Sequence, residues 1–228
     1  MNYFFEGFKQ ALTLLIPPSG EIIGIIVLSL MVSASATVLA GFFAIPFGVT
    51  LAITEFRFKR VVIALLNTAL AIPAVLIGLM VYIIINRRGI MGFMGILFSP
   101  WAMILAQAIL AFPLITALSM AALKGIAKDT KDLALSLGAS RFQMAAAVIR
   151  QGKFAFLTAI ITGFSRVIGE TGMTLMVGGN IKGYTRVMTT AISLETMKGN
   201  FEIGIALGLV LLTVALLVNI LLQWLQGK

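Results

Sequence analysis

The chain has 228 residues, of which 60% are hydrophobic and only 11% are charged, and its mean hydropathy is +1.09. Soluble domains carry roughly 25% charged residues and cannot hide this much apolar surface, so the composition indicates an integral membrane protein. The chain has no cysteine and no histidine, which excludes disulfides, zinc–thiolate sites, thiol catalysis and histidine-based acid–base chemistry. A net charge of +9 is typical of cytoplasmic loops in such a protein rather than of a nucleic-acid-binding surface.

Residues 1–18 are expected to form an amphipathic helix that lies in the membrane interface. Phe4, Phe8 and Leu12 fall on one helical face, whereas Glu6 and Lys9 fall on the opposite face. The segment lacks the basic start and the long apolar core of a signal peptide, so we expect it to be retained.

Five stretches are apolar and long enough to cross a membrane, which predicts an all-α membrane protein with one transmembrane domain over residues 1–228. The predicted spans are about 21–54, 61–86, 100–123, 154–178 and 203–226. Each of Pro46, Pro73 and Pro113 lies inside a span and is expected to kink its helix, because proline removes one backbone hydrogen bond.

The basic residues suggest how these spans are oriented. Residues 55–60 and 124–153, together with Lys228, contain most of the lysines and arginines, and an odd number of spans places these three regions on one side. Because cytoplasmic loops are enriched in lysine and arginine, we expect the N-terminus outside and the C-terminus in the cytoplasm.

Residues 124–153 form a polar cytoplasmic loop that is expected to fold as helix–turn–helix, starting near Asp129–Asp132 and turning at Gly138. Residues 132–142 read D-L-A-L-S-L-G-A-S-R-F, in which glycine follows an acidic residue by six positions. Glycine tolerates the positive φ of a tight turn, and Leu133 and Leu137 lie one helical turn apart, where they would form an apolar ridge.

This pattern resembles the coupling loop of permease subunits of ABC importers, which docks into a groove on an ATPase subunit. The sequence departs from the family pattern in three places: Asp132 replaces the usual glutamate, Leu133 replaces the usual alanine, and Arg150 and Gln151 replace the usual final Leu-Pro. The resemblance implies the type I fold with a five-helix core. The implied coupling residues are Asp132, Leu133, Ala134, Leu137, Gly138, Ala139, Ser140 and Arg141.

The fourth span contains a second motif, G-F-S-R-V-I-G-E-T-G over residues 163–172. Arg166 and Glu170 are four residues apart, so they can pair on one helical face, which lowers the cost of charge inside the membrane. Two interpretations stay open: a salt bridge that fixes helix packing, or a pair that lines a transport pathway. The motif resembles a stretch found in oxyanion permeases.

The segment over residues 177–202 narrows the resemblance to permeases of the tungstate type. On this basis Gly178 and Asn180 join Arg166 and Glu170 as candidates near the pathway or gate. Lys182 and Arg186, on the outer side, would attract a dianion, orient a binding protein or simply be solvated.

The resemblance implies the transmembrane subunit of an ATP-driven importer in the inner membrane of a prokaryote, which moves tungstate after delivery by an extracytoplasmic binding protein. Its implied partners are a second permease copy, two ATPase subunits that hold ATP and Mg²⁺, and membrane lipid, with no nucleic acid. The chain has no phosphate loop and no catalytic constellation, so we expect no enzyme activity and no cofactor in it. The alternatives are a permease for molybdate, sulfate or phosphate, a stand-alone carrier or channel, and a membrane scaffold.

Overall fold

The computed structural model describes residues 8–9, 12–13 and 19–226, with the backbone alone at 124–132, 134–135, 141, 145, 222 and 225–226. These residues form α-helices, one 3-10 turn at Gly92–Met94 and no strand. The α-helices are α1 (Gly20–Ile53), α2 (Lys59–Leu70), α3 (Ala74–Ile85), α4 (Pro100–Ser136), α5 (Arg141–Gln151), α6 (Lys153–Ile168), α7 (Gly172–Gly178), α8 (Met188–Met197) and α9 (Phe201–Gln226).

The predicted amphipathic helix over residues 1–18 lies outside the described residues, apart from 8–9 and 12–13, which are helical. The chain is followed continuously from Ser19 onward. The hydroxyl of Ser19 caps α1 by accepting a hydrogen bond from the backbone N–H of Ile22 at 3.3 Å.

The three prolines inside predicted spans have different effects. Pro46 and Pro113 lie within the continuous helices α1 and α4. Pro73 instead separates α2 from α3, and these two helices bend by 100° at the break. Proline lacks an N–H and disfavours helical backbone at the residue before it, so the helix ends ahead of Pro73 and a new one begins after it. The segment over residues 61–86 is therefore not one straight helix.

Three of the described helical segments are long and apolar enough to cross a membrane: Gly20–Ile53, Pro100–Leu123 and Phe201–Leu221. The pair α2 and α3 and the pair of Phe142–Gln151 with α6, which bends by 67°, bring the number to as many as five if each pair is one span. Large side chains such as Phe42 and Leu216 are exposed on these helices, as expected of surfaces that face lipid or another membrane subunit.

The centre of the fold is the contact between α1 and α4, which pack against each other more extensively than any other pair of described helices. A Cβ atom on Gly48 of α1 would lie only 2.9 Å from the carbonyl oxygen of Thr116, so glycine permits this close approach. Buried side chains of α3, α6 and α7, including Ile77, Val167 and Met173, complete the same apolar core.

Helices α1 and α4 run in the same direction, because Leu39 and Leu105 line one groove and Leu51 and Met120 share a cluster further along both helices. The molecule therefore has two distinct ends. We call the end with the start of α1, residues 179–187 and α8 the Glu21 end. The opposite end, with residues 54–60, the end of α4 and α5, is the Gly138 end.

The structure corrects the prediction that a separate helix starts at Asp129–Asp132. Helix α4 begins at Pro100, as the sequence predicts, and continues without interruption to Ser136. The polar residues of 124–136 prolong a helix that is already nucleated and packed, and adding residues to such a helix is easier than starting a new one. The segment over residues 124–153 is thus the last part of α4, a turn and α5.

Candidate coupling and pathway sites

The turn at Gly138 is short and held by local hydrogen bonds. The backbone N–H of Leu137 donates to the carbonyl of Leu133 at 3.1 Å, and Gly138 follows with φ of +75°, the conformation that the sequence predicts. Ser140 then caps α5: its hydroxyl accepts from the N–H of Gln143, and the Gln143 side chain accepts from the N–H of Ser140 at 2.8 Å. This capping box fixes the direction in which the chain leaves the turn.

Three large apolar side chains project from this turn. Leu133 and Leu137, the predicted ridge, are mostly exposed, with Leu137 at 78%. Phe142, in the first turn of α5, is 84% exposed and was not among the predicted site residues. Its signal in the sequence was its place just after the N-cap serine. We call these three residues the turn face.

The other predicted coupling residues differ in how the structure places them. Ala139 is half-buried within the turn, and Ser140 serves as the cap of α5. The side chains of Asp132, Ala134 and Arg141 lie outside the described residues.

Arg166 and Glu170 form the predicted pair, between Nη1 of the arginine and Oε1 of the glutamate. Helix α6 ends at Ile168, so Glu170 lies in the break before α7 rather than on the helix itself. Arg166 is half-exposed, whereas the Glu170 side chain is largely buried. The pair therefore crosses the point where the fourth predicted span is interrupted.

The backbone of Glu170 is also fixed in place. Its carbonyl oxygen accepts hydrogen bonds from the hydroxyls of Thr174 in α7, at 2.8 Å, and Thr189 in α8, at 3.1 Å. Three helices thus meet at this residue, which ties the position of the carboxylate to that of α8.

Gly178 is the last residue of α7, and Asn180 lies in the tight turn that follows. A Cβ atom on Gly178 would lie 2.8 Å from the Met103 sulfur, and the hydroxyl of Thr185 donates to the Gly178 carbonyl at 2.5 Å. Asn180 has a φ of +51°, and its side-chain amide donates to the carbonyl of Thr190 at 3.3 Å. Its Oδ1 is buried, and no described residue donates a hydrogen bond to it. Thr189 and Thr190 are neighbours, so the first turn of α8 brings Asn180 and Glu170 together.

The Glu21 end contains charged contacts that the sequence analysis missed in part. Glu21 bridges two cations: its Oε2 lies 2.8 Å from Nζ of Lys182, and its Oε1 lies 3.7 Å from Nη1 of Arg186. Lys182 and Arg186 were predicted as outer cations, but their acidic partner was not. Glu21 and Lys182 are far apart in the sequence, so no helical spacing signals this contact.

A second missed carboxylate, Glu195, is buried nearby. It accepts hydrogen bonds from the Asn200 amide at 2.7 Å and from the Lys198 ammonium at 2.9 Å. The hydrogen bond from Asn200, followed by that from Lys198, holds the pKa of Glu195 below its ordinary value. Within the described residues, no group of three carboxylates lies close enough to hold a metal ion.

The sequence matches a known family over most of its length. Residues 44–228 fit the model of the binding-protein-dependent transport system inner membrane component. The chain belongs to this permease family. The permease is therefore a multi-pass membrane protein and a component of a transport system.

Individual relatives cover nearly the whole permease. It is 40% identical to the tungstate uptake system permease protein of Peptoclostridium acidaminophilum over all of both chains. It is 38% identical to the protein of the same name from Campylobacter jejuni, over 96% of this chain and 92% of that one. A probable anion ABC transporter permease protein of Haloferax volcanii is 37% identical over 88% of each chain.

Proposed function

We propose that this permease is the transmembrane subunit of an ATP-driven importer that moves tungstate across the cell membrane after a binding protein delivers it. The observation that carries the proposal is the full-length similarity to a tungstate uptake permease, at 40% identity with no uncovered segment. The family match, which describes a component of a binding-protein-dependent system, supports the need for a delivery protein.

In this proposal the Gly138 end faces the cytoplasm, with the N-terminus outside and the C-terminus inside. Arg57, Lys59 and Arg60 follow α1 at this end, and the basic residues of 124–153 lie at the same end. Lysine and arginine accumulate in cytoplasmic loops, which supports this orientation.

The turn face is the proposed docking site for an ATPase subunit that holds ATP and Mg²⁺. Exposure of these three apolar side chains to water is unfavourable, and their burial in a groove of a partner protein would be favourable. The stiff turn around Gly138 supports a role in transmitting force, because a coupling element must move with its partner. Asp132 to Arg141 are the residues to which we assign this role.

Two copies of the permease would surround one pathway, each with its own ATPase subunit. We place Arg166, Glu170, Gly178 and Asn180 near the gate of that pathway. The hydrogen bonds that join Glu170 and Asn180 to the first turn of α8 support this placement, because a shift of α8 would move both residues together.

The test is tungstate uptake into proteoliposomes that contain the permease, its ATPase and the binding protein. We expect uptake only when ATP and all three proteins are present. Uptake without ATP would indicate a stand-alone carrier or channel, and no uptake under any condition would indicate a scaffold. ATP-dependent uptake that prefers molybdate, sulfate or phosphate would retain the transporter class and correct the substrate.

A further inference from the structure

At the Glu21 end, one carboxylate sits between two cations in a way that resembles a bound anion. The Glu21 carboxylate presents one oxygen to Lys182 and the other to Arg186. The two contacts differ in quality: the Lys182 contact has hydrogen-bond length, but the 3.7 Å separation from Arg186 is too long for a hydrogen bond.

Arg186 is consequently short of acceptors. Its side chain is only 13% exposed, and its Nε is buried without a hydrogen-bond partner among the described residues. A guanidinium carries five N–H donors in a planar fork, and a buried donor without an acceptor is unfavourable. An anion with more oxygens than a carboxylate would satisfy this fork better than Glu21 does.

The remaining charged groups around Arg186 do not supply those acceptors. Glu195 lies close enough to Arg186 to interact electrostatically, but both of its oxygens are engaged by Asn200 and Lys198, and its lowered pKa keeps it ionised. Among the described residues, the charged groups that line this region are three cations, Lys182, Arg186 and Lys198, and two carboxylates, Glu21 and Glu195. One positive charge is left over.

There is also room beside the bridge. A cavity of about 440 Å³ borders Glu21 and is also lined by Leu28 and Met31, and a second cavity of about 380 Å³ borders both Glu21 and Glu195. Glu21, Lys182 and Arg186 line both cavities. The bridge therefore borders two spaces, each of which exceeds the size of a small tetrahedral anion.

We propose that Arg186 and Lys182 form a binding site for a tetrahedral oxyanion, and that the Glu21 carboxylate occupies this site when no anion is bound. The incoming anion displaces Glu21 and pairs with the guanidinium through two oxygens, the geometry that arginine favours for oxyanions. Glu21 is about half-exposed, so its carboxylate moves into water at small cost, whereas Arg186 stays held in the protein. The inference rests on the proposed function, which supplies the substrate class.

The experiment measures tungstate binding to the purified complex of permease and ATPase by titration calorimetry, without the binding protein. Glu21→Gln removes the competing carboxylate, so we expect tungstate to bind about two- to tenfold more tightly. Arg186→Gln removes the guanidinium and should weaken binding about ten- to hundredfold, whereas Arg186→Lys should weaken it less. The matched control is Arg88→Gln, which removes one exposed cation outside both cavities and should leave affinity unchanged.

The tighter binding of Glu21→Gln is the decisive result, because a damaged protein does not gain affinity. Equal or weaker binding by Glu21→Gln, or equal weakening by Arg88→Gln and Arg186→Gln, would overturn the site. So would a result in which Glu21→Gln changes affinity for the binding protein but not for tungstate. Uptake assays on the unaltered system separate this failure from that of the proposed function: normal ATP-dependent uptake with no saturable binding rejects only the site.

Discussion

Two groups of side chains at opposite ends of the permease are satisfied in different ways: the turn face, and the carboxylates Glu21 and Glu195. At the Gly138 end, Leu137 and Phe142 point away from the rest of the chain and contact little of it. At the Glu21 end, Glu21 and Glu195 are bonded to cations and amides of this chain. We infer that a partner covers the turn face, whereas the contacts of Glu21 and Glu195 are internal and would have to rearrange during transport.

The largest loss of transport is expected when the turn at Gly138 changes its backbone conformation. We expect Gly138→Val to lower ATP-dependent uptake at least about tenfold, because a β-branched residue at this positive φ costs about 1–2 kcal/mol and redirects the turn face. The assay is uptake together with ATPase activity in proteoliposomes.

Gly95→Val is the matched control for this strain. Gly95 also has a positive φ, of +61°, and a Cβ atom at either glycine would meet no neighbour within 4 Å. Both variants should lose similar thermal stability, but only Gly138→Val should lose coupling. Equal losses of uptake would assign the effect to stability alone.

A milder change tests whether the turn face binds a partner. Leu137→Ala should weaken the association with the ATPase about tenfold, as expected for an apolar residue that becomes buried in an interface. It should leave the melting temperature of the isolated permease unchanged, because the side chain is exposed. Leu212→Ala on α9 removes another exposed leucine, at 66% against 78% for Leu137, and should change neither quantity. A binding affinity that Leu137→Ala does not alter would argue against this docking site.

The pair of Arg166 and Glu170, which lies at the interruption of the fourth predicted span, can be tested for a role in helix packing. Arg166→Gln leaves Glu170 without its cation, so it should destabilise the permease more than the double variant Arg166→Gln/Glu170→Gln. The expected coupling energy is about 1–3 kcal/mol from a double-mutant cycle of thermal unfolding. Additive effects would show that the pair contributes nothing to packing and would favour the pathway interpretation.

The smallest expected effect is a loss of stability when the hydrogen bond between Asn200 and Glu195 is removed at the Glu21 end. Asn200→Ala removes the first cause of the lowered pKa of Glu195 and should cost about 1 kcal/mol at pH 7. Because the pKa of Glu195 is lower in the folded state, its carboxylate stabilises the fold at pH values above 4.5, the ordinary pKa of glutamate. This contribution is lost as the pH falls through the pKa of the folded state. The difference between variant and parent should therefore shrink in melting curves recorded below pH 4.5, and a constant difference would contradict this origin. Asn219→Ala, on an exposed face of α9, is the control.

Local features of this permease were predictable because they depend on residues close in the sequence. The positive φ of Gly138, the exposure of Leu133 and Leu137, and the pairing of Arg166 with Glu170 all follow from spacing within one or two helical turns. The continuation of α4 to Ser136 was not predictable in the same way. Helix-starting residues at Asp129–Asp132 are also tolerated inside a helix whose stability comes from packing elsewhere.

Contacts between distant segments were out of reach. The bridge from Glu21 to Lys182 and Arg186 depends on how α1 packs beside the segment after α7, and no periodicity records that arrangement. The 100° bend at Pro73 shows a second limit. The sequence predicts that proline disturbs a helix, but the neighbours that α2 and α3 find afterwards decide whether the result is a kink or a break.

Helix α4 has 37 residues, so it is about 55 Å long, nearly twice the thickness of the hydrocarbon core of a bilayer. Its apolar part, Pro100–Leu123, accounts for about 36 Å, and the remainder extends the helix by about 20 Å at the Gly138 end. The turn face is thus carried at the end of a helical extension that continues beyond the apolar part of α4. If a partner shifts the Ser136 end of α4 sideways by about 10 Å while Pro100 stays in place, the helix tilts by only about 10°. A large displacement at the Gly138 end would therefore produce only a small rotation of α4 where it packs against the other helices.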